Sequence, residues 1–250
     1  MSNRELAVVV GSTGAMGAVI TQRLAAAGFT VVAVARSADA LASLAAQVPG
    51  VRSCVADIAD DSAVDAIRAS VDGPVRLVVQ GAGVATAGGV LSAPTAAVVD
   101  AVNIKVGGLL RLVRAVDERL VPQSRLIAIG GHYGFEPSAY ACTAGVANAA
   151  LANLVRQLSW AYGPRGITSH LVAPGPADTE RLRRVAVARG ELDGTGAEAV
   201  LEQMRAESAI GAFTTPEQIA WAIAMLAAPE ADALAGGTLF MDAGRRKGLP

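Results

Sequence analysis

Aromatic side chains are scarce, at 4% of the chain, so stacking platforms for single-stranded nucleic acid are not supported. Charge is scarce too: Asp, Glu, Lys and Arg make up 17%, and the formal net charge is −1. No basic field calls for nucleic acid or an anionic membrane surface as partner. The two cysteines, Cys54 and Cys142, lie in apolar segments without metal-ligand spacing. They read as small buried or half-buried thiols, and no metal site is expected. Histidine is limited to His132 and His170. Long apolar runs are also missing, because Gly, Asp, Arg or Pro interrupts each before it could span a bilayer. The first strand begins at Leu6 with no signal peptide before it, so the expectation is a soluble, cytoplasmic protein. What is abundant is apolar residue, 52% of 250. That suits one α/β domain whose helices cover both faces of a parallel sheet.

The chain is organised around Val8-Val9-Val10-Gly11-Ser12-Thr13-Gly14-Ala15-Met16-Gly17. An apolar strand stops at a glycine-rich turn, and an amphipathic helix follows with Ile20, Leu24 and Ala27 at helical spacing. Glycine at 11, 14 and 17 permits a sharp turn and close approach of a ligand to the backbone. The first N–H groups of the helix then face an anion, so Gly11, Thr13, Gly14, Ala15 and Met16 are candidate binders of a dinucleotide pyrophosphate. The other reading is an ordinary strand–helix turn.

Strand and helix alternate from there to the end. The spacing predicts strands at 30–35, 51–56, 75–79, 125–129, 168–172 and 237–241, with helices between them and no internal repeat or linker. The expected fold is therefore a single Rossmann-type domain over 1–250, a doubly wound parallel sheet of about seven strands. Arg36-Ser37 ends the second strand, where an adenosine ribose lies in such folds. A guanidinium with a hydroxyl beside it suits a 2′-phosphate, and no acid is present for a free 2′-hydroxyl. NADP(H) is favoured over NAD(H), which stays open. Asp57-Ile58 ends the third strand, where the carboxylate can accept from an adenine amino group. Gly81-Ala82-Gly83 ends the fourth, and Pro174-Gly175, with Ala177 and Thr179 beyond, ends the sixth. Loops on neighbouring strand ends form one crevice. The spacing predicts a helix over 95–120, with Gly107-Gly108 marking a break or a close neighbour. A long helix is predicted over 140–162. Residues 177–215, Arg- and Glu-rich with Gly190, Gly194 and Gly196 inside, read as a helical insertion with hinges that closes over the site, or as a solvated face.

In order and spacing these features resemble the short-chain dehydrogenase/reductase family over nearly the whole chain. The resemblance rests on the Gly11–Gly17 loop, Asp57, Gln80-Gly81-Ala82-Gly83, Asn103, Tyr140, Pro174-Gly175 with Thr179, and Met241-Asp242-Ala243-Gly244. It implies a nicotinamide cofactor, an alcohol or carbonyl substrate, and a homodimer or homotetramer. It also implies four catalytic groups: a serine, a tyrosine, a lysine four residues after the tyrosine, and a helix asparagine. In that scheme the tyrosine protonates the developing alkoxide while the lysine lowers its pKa from about 10. Tyr140 matches the tyrosine and Asn103 the asparagine. The lysine position holds Ala144, and the serine falls on Gly130 or Gly131, which have no side chain. His132, Tyr133 and Ser138 lie in the same loop. His132 either acts as the acid, or is a loop histidine bonded to the backbone. Lys105, two residues after Asn103, points away from it on a helix and reads as surface or interface. His170 reads as structural.

The reading is therefore an NADP(H)-dependent oxidoreductase of a small carbonyl or alcohol compound, with Tyr140, Asn103 and His132 as catalytic residues in a non-standard site. Two alternatives stay open. One is a catalytically impaired binding or regulatory protein on the same fold. The other is a non-redox isomerase, cyclase or lyase.

Overall fold

The computed structural model describes residues 5–85 and 88–248. Its first half alternates strand and helix: β1 (Leu6–Val10), α1 (Ala15–Ala26), β2 (Thr30–Ala35), α2 (Ala38–Gln47), β3 (Val51–Val55), α3 (Ala63–Ser70) and β4 (Val75–Gln80). α4 (Thr95–Val102) and α5 (Gly108–Val116) follow, joined by a π-helical turn at Asn103–Gly107. The second half holds β5 (Leu120–Ile129), α6 (Cys142–Tyr162), β6 (Thr168–Pro174), α7 (Glu180–Asp193), α8 (Ala197–Ala206), α9 (Pro216–Met225) and β7 (Thr238–Met241). The seven strands form one parallel sheet in the order β3-β2-β1-β4-β5-β6-β7, as the alternation requires. The order reverses between β1 and β4, so the crevice lies over their C-terminal ends.

Alternation within β1 explains the two layers. Leu6, Val8 and Val10 face α3, α5 and α6, packing with Ile67, Leu109, Leu112 and Leu151. Ala7 and Val9 face the other way, against Ile20 and Leu24 of α1 and Ile219 and Ile223 of α9. Each buried Val, Leu or Ile contributes about 1.5–3 kcal/mol. α9 starts with a full capping box, Thr215 and Gln218 bonding each other's backbone N–H, with Pro216 at the first helical position. β5 is tied to α9 by Arg125, which is fully buried. Its Nε donates to the Leu226 carbonyl at 2.8 Å, its Nη2 to the Ala228 carbonyl at 3.1 Å, and its Nη1 pairs with Asp232 at 2.8 Å.

Several expectations shift. β5 begins at Leu120 rather than 125, because the Ser124 hydroxyl donates to the Val75 carbonyl at 2.6 Å and holds the early residues on β4. Gly107-Gly108 do not break the helix. A Cβ on Gly108 would lie 2.4 Å from Gln80 Nε2, so the pair marks a close neighbour, and the chain passes as a π-turn with the Gly108 N–H bonded to the Asn103 carbonyl. α6 begins at Cys142, leaving Tyr140 in the turn before it. In the 177–215 stretch α7 and α8 share a small core of Leu182, Ala186, Val200, Leu201 and Met204. Gly190 there sits inside α7, where a Cβ would meet the Thr195 carbonyl at 2.7 Å, so it is a packing glycine.

Candidate active site

The glycine-rich turn after β1 exposes its backbone, with Thr13 and Gly14 at the surface and Ser12 turned inward. Gly11 has φ +78°, and its N–H bonds the Val34 carbonyl of β2. Ser12 is buried, with its hydroxyl on the same carbonyl at 3.2 Å. A Cβ on Gly17 would lie 2.0 Å from the Gly11 carbonyl oxygen, so the helix packs directly on the turn. Gly14 caps α1 in extended conformation without a side-chain bond, which leaves the first N–H groups of Ala15, Met16 and Gly17 free for an anion. This cradle fits a pyrophosphate.

The other predicted binding residues lie along the same edge. Arg36 is exposed just past β2. Ser37 caps α2, its Oγ accepting from the Ala40 N–H at 3.2 Å. The Asp57 carboxylate closes an Asx turn on Ala59 N–H at 3.0 Å, next to buried Ile58. Gly81, Ala82 and Gly83 follow β4 and are stapled by buried Gln80. Its Oε1 accepts from Ala82 N–H at 3.2 Å and its Nε2 donates to the Ile104 carbonyl at 2.8 Å. A Cβ on Gly81 would come within 2.9 Å of the Val10 carbonyl, so β1 and β4 approach closely here. Gly175 packs on Asp242, Ala177 is buried, and the Thr179 hydroxyl bonds the Ala177 carbonyl at 3.2 Å.

The predicted catalytic residues divide. Tyr140 is 38% exposed, and its hydroxyl is bonded to that of Tyr133, with the rings edge-on at 5.5 Å. Burial, followed by the Tyr140 bond, pushes the Tyr133 phenol well above its usual range. Arg189 of α7 lies over the Tyr140 ring at 4.8 Å. Asn103 turns elsewhere. Its Nδ2 donates to the Ala59 carbonyl at 3.0 Å, and its Oδ1 accepts from Arg111 at 2.9 Å. It anchors the loop after β3 and shares no partner with Tyr140. The His132 ring lies beneath the loop near the Pro174 carbonyl, and its Nε2 has no hydrogen-bond partner among the described residues. It is buried, and burial, then the nearby Arg245, lowers its pKa, which keeps the imidazole neutral. A ring that stays neutral carries no extra proton to give as an acid at neutral pH. His170 is structural, buried on β6 and paired with the Thr168 hydroxyl at 2.7 Å.

Lys105 is a correction: it is not at the surface. It is 5% exposed, and its Nζ donates to the Ile129 carbonyl at the tip of β5 at 2.7 Å. Helical spacing does turn it away from Asn103, but that side of the helix faces β5 rather than solvent. Burial, with the Arg181 charge adding to it, lowers its pKa to about 8.

Sequence reasoning also passed over Asn148. It is 4% exposed on α6, and a Cβ on Gly131 would lie 2.9 Å from its Nδ2. Its Oδ1 has no hydrogen-bond partner among the described residues. The residue one helical turn before it is Ala144, which packs with Ala147 against Val84, Ala101 and Ile104. A buried polar residue amid the alanines of 147–150 was the available signal.

Comparison with known proteins is consistent along the chain. A family model described as enoyl-(acyl carrier protein) reductase matches residues 10–246. The short-chain reductase protein NovJ of Streptomyces niveus is 30% identical, over 98% of this chain and 95% of its own. A short-chain dehydrogenase/reductase from Serratia marcescens shares the fold with a TM-score of 0.85 at 28% identity, covering 98% of this chain and 99% of that one. BdcA, solved in complex with NADPH, gives a TM-score of 0.82 at 26% identity, covering 98% and 96%.

Proposed function

Because the chain belongs to the short-chain dehydrogenase/reductase family, we propose that it is an NADP(H)-dependent oxidoreductase acting on a carbonyl or alcohol group of a small molecule through a non-standard site. The observation that carries this reading is the Gly11–Gly17 cradle, whose backbone a single Cβ at Gly17 would fill. Gly11, Thr13, Gly14, Ala15 and Met16 hold the pyrophosphate, and Asp57 and Ile58 the adenine. Arg36 and Ser37 select the 2′-phosphate, a choice supported by the NADPH complex of BdcA. Gly81, Ala82, Gly83, Pro174, Gly175, Ala177 and Thr179 line the rest. The nicotinamide, when bound, supplies the hydride.

Gly130 and Gly131 offer no hydroxyl and Ala144 no amine, so the family's serine and its lysine after Tyr140 are absent. Tyr140 is the phenol that donates the proton at its Oη, with Tyr133 bonded to it. α7 and α8 form a lid over the mouth, with Arg189 stacked on Tyr140 and Arg181 donating to the Val84 carbonyl at 2.6 Å. As in the family, the assembly is a homodimer or homotetramer.

NADPH and NADH titrations followed by fluorescence test the reading, with Arg36→Ala and Tyr140→Phe as variants. Arg36→Ala weakens NADPH about tenfold or more and leaves NADH unchanged, on the worth of one charge-assisted bond. Tyr140→Phe keeps binding and loses carbonyl-dependent NADPH oxidation. A second reading, a binding protein without turnover, is favoured by Ala144, an apolar residue at the position where the resemblance expects the lysine. Tight NADPH binding with no oxidation across a panel of aldehydes and ketones would select it.

A further inference from the structure

Lys105 is a buried ammonium that the fold does not otherwise use. It carries three N–H donors, yet among the described residues its one hydrogen-bond acceptor is the Ile129 carbonyl, and it makes no ion pair. A charge held this way is costly unless a ligand completes its shell. Its surroundings point to the crevice. Ile129 ends β5, two residues before Gly131. The charge that acts on Lys105 is the Arg181 guanidinium, which also reaches the loop after β4, since a Cβ on Gly83 would lie 3.3 Å from its Nη1. Two positive groups thus converge beside the Gly81-Ala82-Gly83 loop. Asn148 adds an unpartnered Oδ1 on the neighbouring helix, and α6 packs against the π-turn that carries Lys105.

We infer that Lys105, delivered through the π-turn to the end of β5, is the cation that meets the reactive end of the bound dinucleotide and the substrate oxygen beside it, with Asn148 as its neutral companion on α6. This rests on the oxidoreductase reading and replaces its missing α6 lysine with a residue from another helix. Lys105 holds its proton at Nζ. The two N–H donors that have no acceptor among the described residues take an electron-rich oxygen, as a ribose hydroxyl or a polarised carbonyl offers. Among the groups on the surrounding elements, Asp100 of α4 is exposed and Arg111 of α5 is turned to Asp61 at 2.6 Å. Cys142 stands at the start of α6 and His132 is neutral, which leaves Arg181 of α7 as the charge acting on Lys105.

The test uses the whole chain, whose only other lysine is Lys247. Lysine labelled at Cε and Nζ gives two side-chain NMR signals, and Lys247→Arg identifies them. The expected Lys105 signal titrates near 8, and saturating NADPH moves it and raises its midpoint. Lys105→Met weakens NADPH binding about tenfold at pH 7 and makes it independent of pH. Wild-type binding weakens as pH passes through 8 to 9, and Lys105→Arg keeps most of the affinity without the pH dependence. A Lys105 signal indifferent to NADPH, in a protein that binds it, overturns the inference alone. Failure of the wild type to bind NADPH or NADH takes down the oxidoreductase reading, and the inference with it.

Discussion

Gly17→Ala is the sharpest perturbation of the dinucleotide cradle. The added methyl would sit 2.0 Å from the Gly11 carbonyl oxygen, 2.7 Å from its carbon and 2.8 Å from Ser12 Cα. All three are backbone atoms, so no side chain can swing away. The turn or the helix must move by about 1 Å or more to restore contacts of ~3.5 Å. Overpacking of this kind costs about 3 kcal/mol at the upper end of its usual range. For a chain of this length that lowers Tm by roughly 6–12 °C. The displaced N–H groups also lose the phosphate, and each ~1.4 kcal/mol lost there is tenfold in affinity. Gly14→Ala is the matched control. Its methyl would lie 3.4 Å from the same oxygen, and Gly14 has φ −77°, which alanine adopts freely. Thermal melts and NADPH fluorescence titrations of both variants decide the matter. Gly17→Ala should lose at least tenfold in NADPH affinity on top of its lower Tm, while Gly14→Ala keeps a Tm near wild type. A Gly17→Ala protein that melts early but binds NADPH normally would refute the cradle as the pyrophosphate site.

Two further predictions concern stability. Arg125→Met leaves the Leu226 and Ala228 carbonyls without their donor. A loss of about 3 kcal/mol is expected in urea unfolding, whereas Asp232→Asn, which keeps both carbonyl bonds but removes a counter-charge of the buried guanidinium, costs less than that. His170 takes up its proton near pH 4 in the folded chain but near 6.5 when unfolded. Folding stability is therefore unaffected above about pH 6.5 and falls by about 3 kcal/mol as pH drops through 4. His170→Asn should flatten that acid limb in urea midpoints measured against pH, and an unchanged limb would assign it to other groups.

The strands and the crevice were legible because their signals are local. A valine run ending at Gly11, or an apolar strand ending in Gly81-Ala82-Gly83, names its own position. The chemistry at the bottom of the crevice was not local. Helical spacing gives the direction of Lys105 relative to Asn103, but not that β5 lies on that side. Tyr140 looked helical from its neighbours, yet Ala141, with φ −114° and ψ 42°, delays the helix to Cys142. No capping side chain marks that start, so the sequence carries no sign of it. The role of Gly131 is equally hidden, because its meaning comes from Asn148, 17 residues further on and packed against it.

The π-turn at Asn103–Gly107 works as an angular gear. One residue of an α-helix is worth about 100° of rotation, and a π-turn absorbs one residue more than the helix on either side. α5 is packed between β4 and α3, which resist its turning. Deleting a single residue from the turn would therefore leave α5 in place and rotate Lys105 away from the end of β5, or draw another residue into its position. A one-codon change far from the glycine-rich loop would thus exchange the charge at the reaction centre for a different side chain, with the sheet, the cradle and the rest of the composition intact.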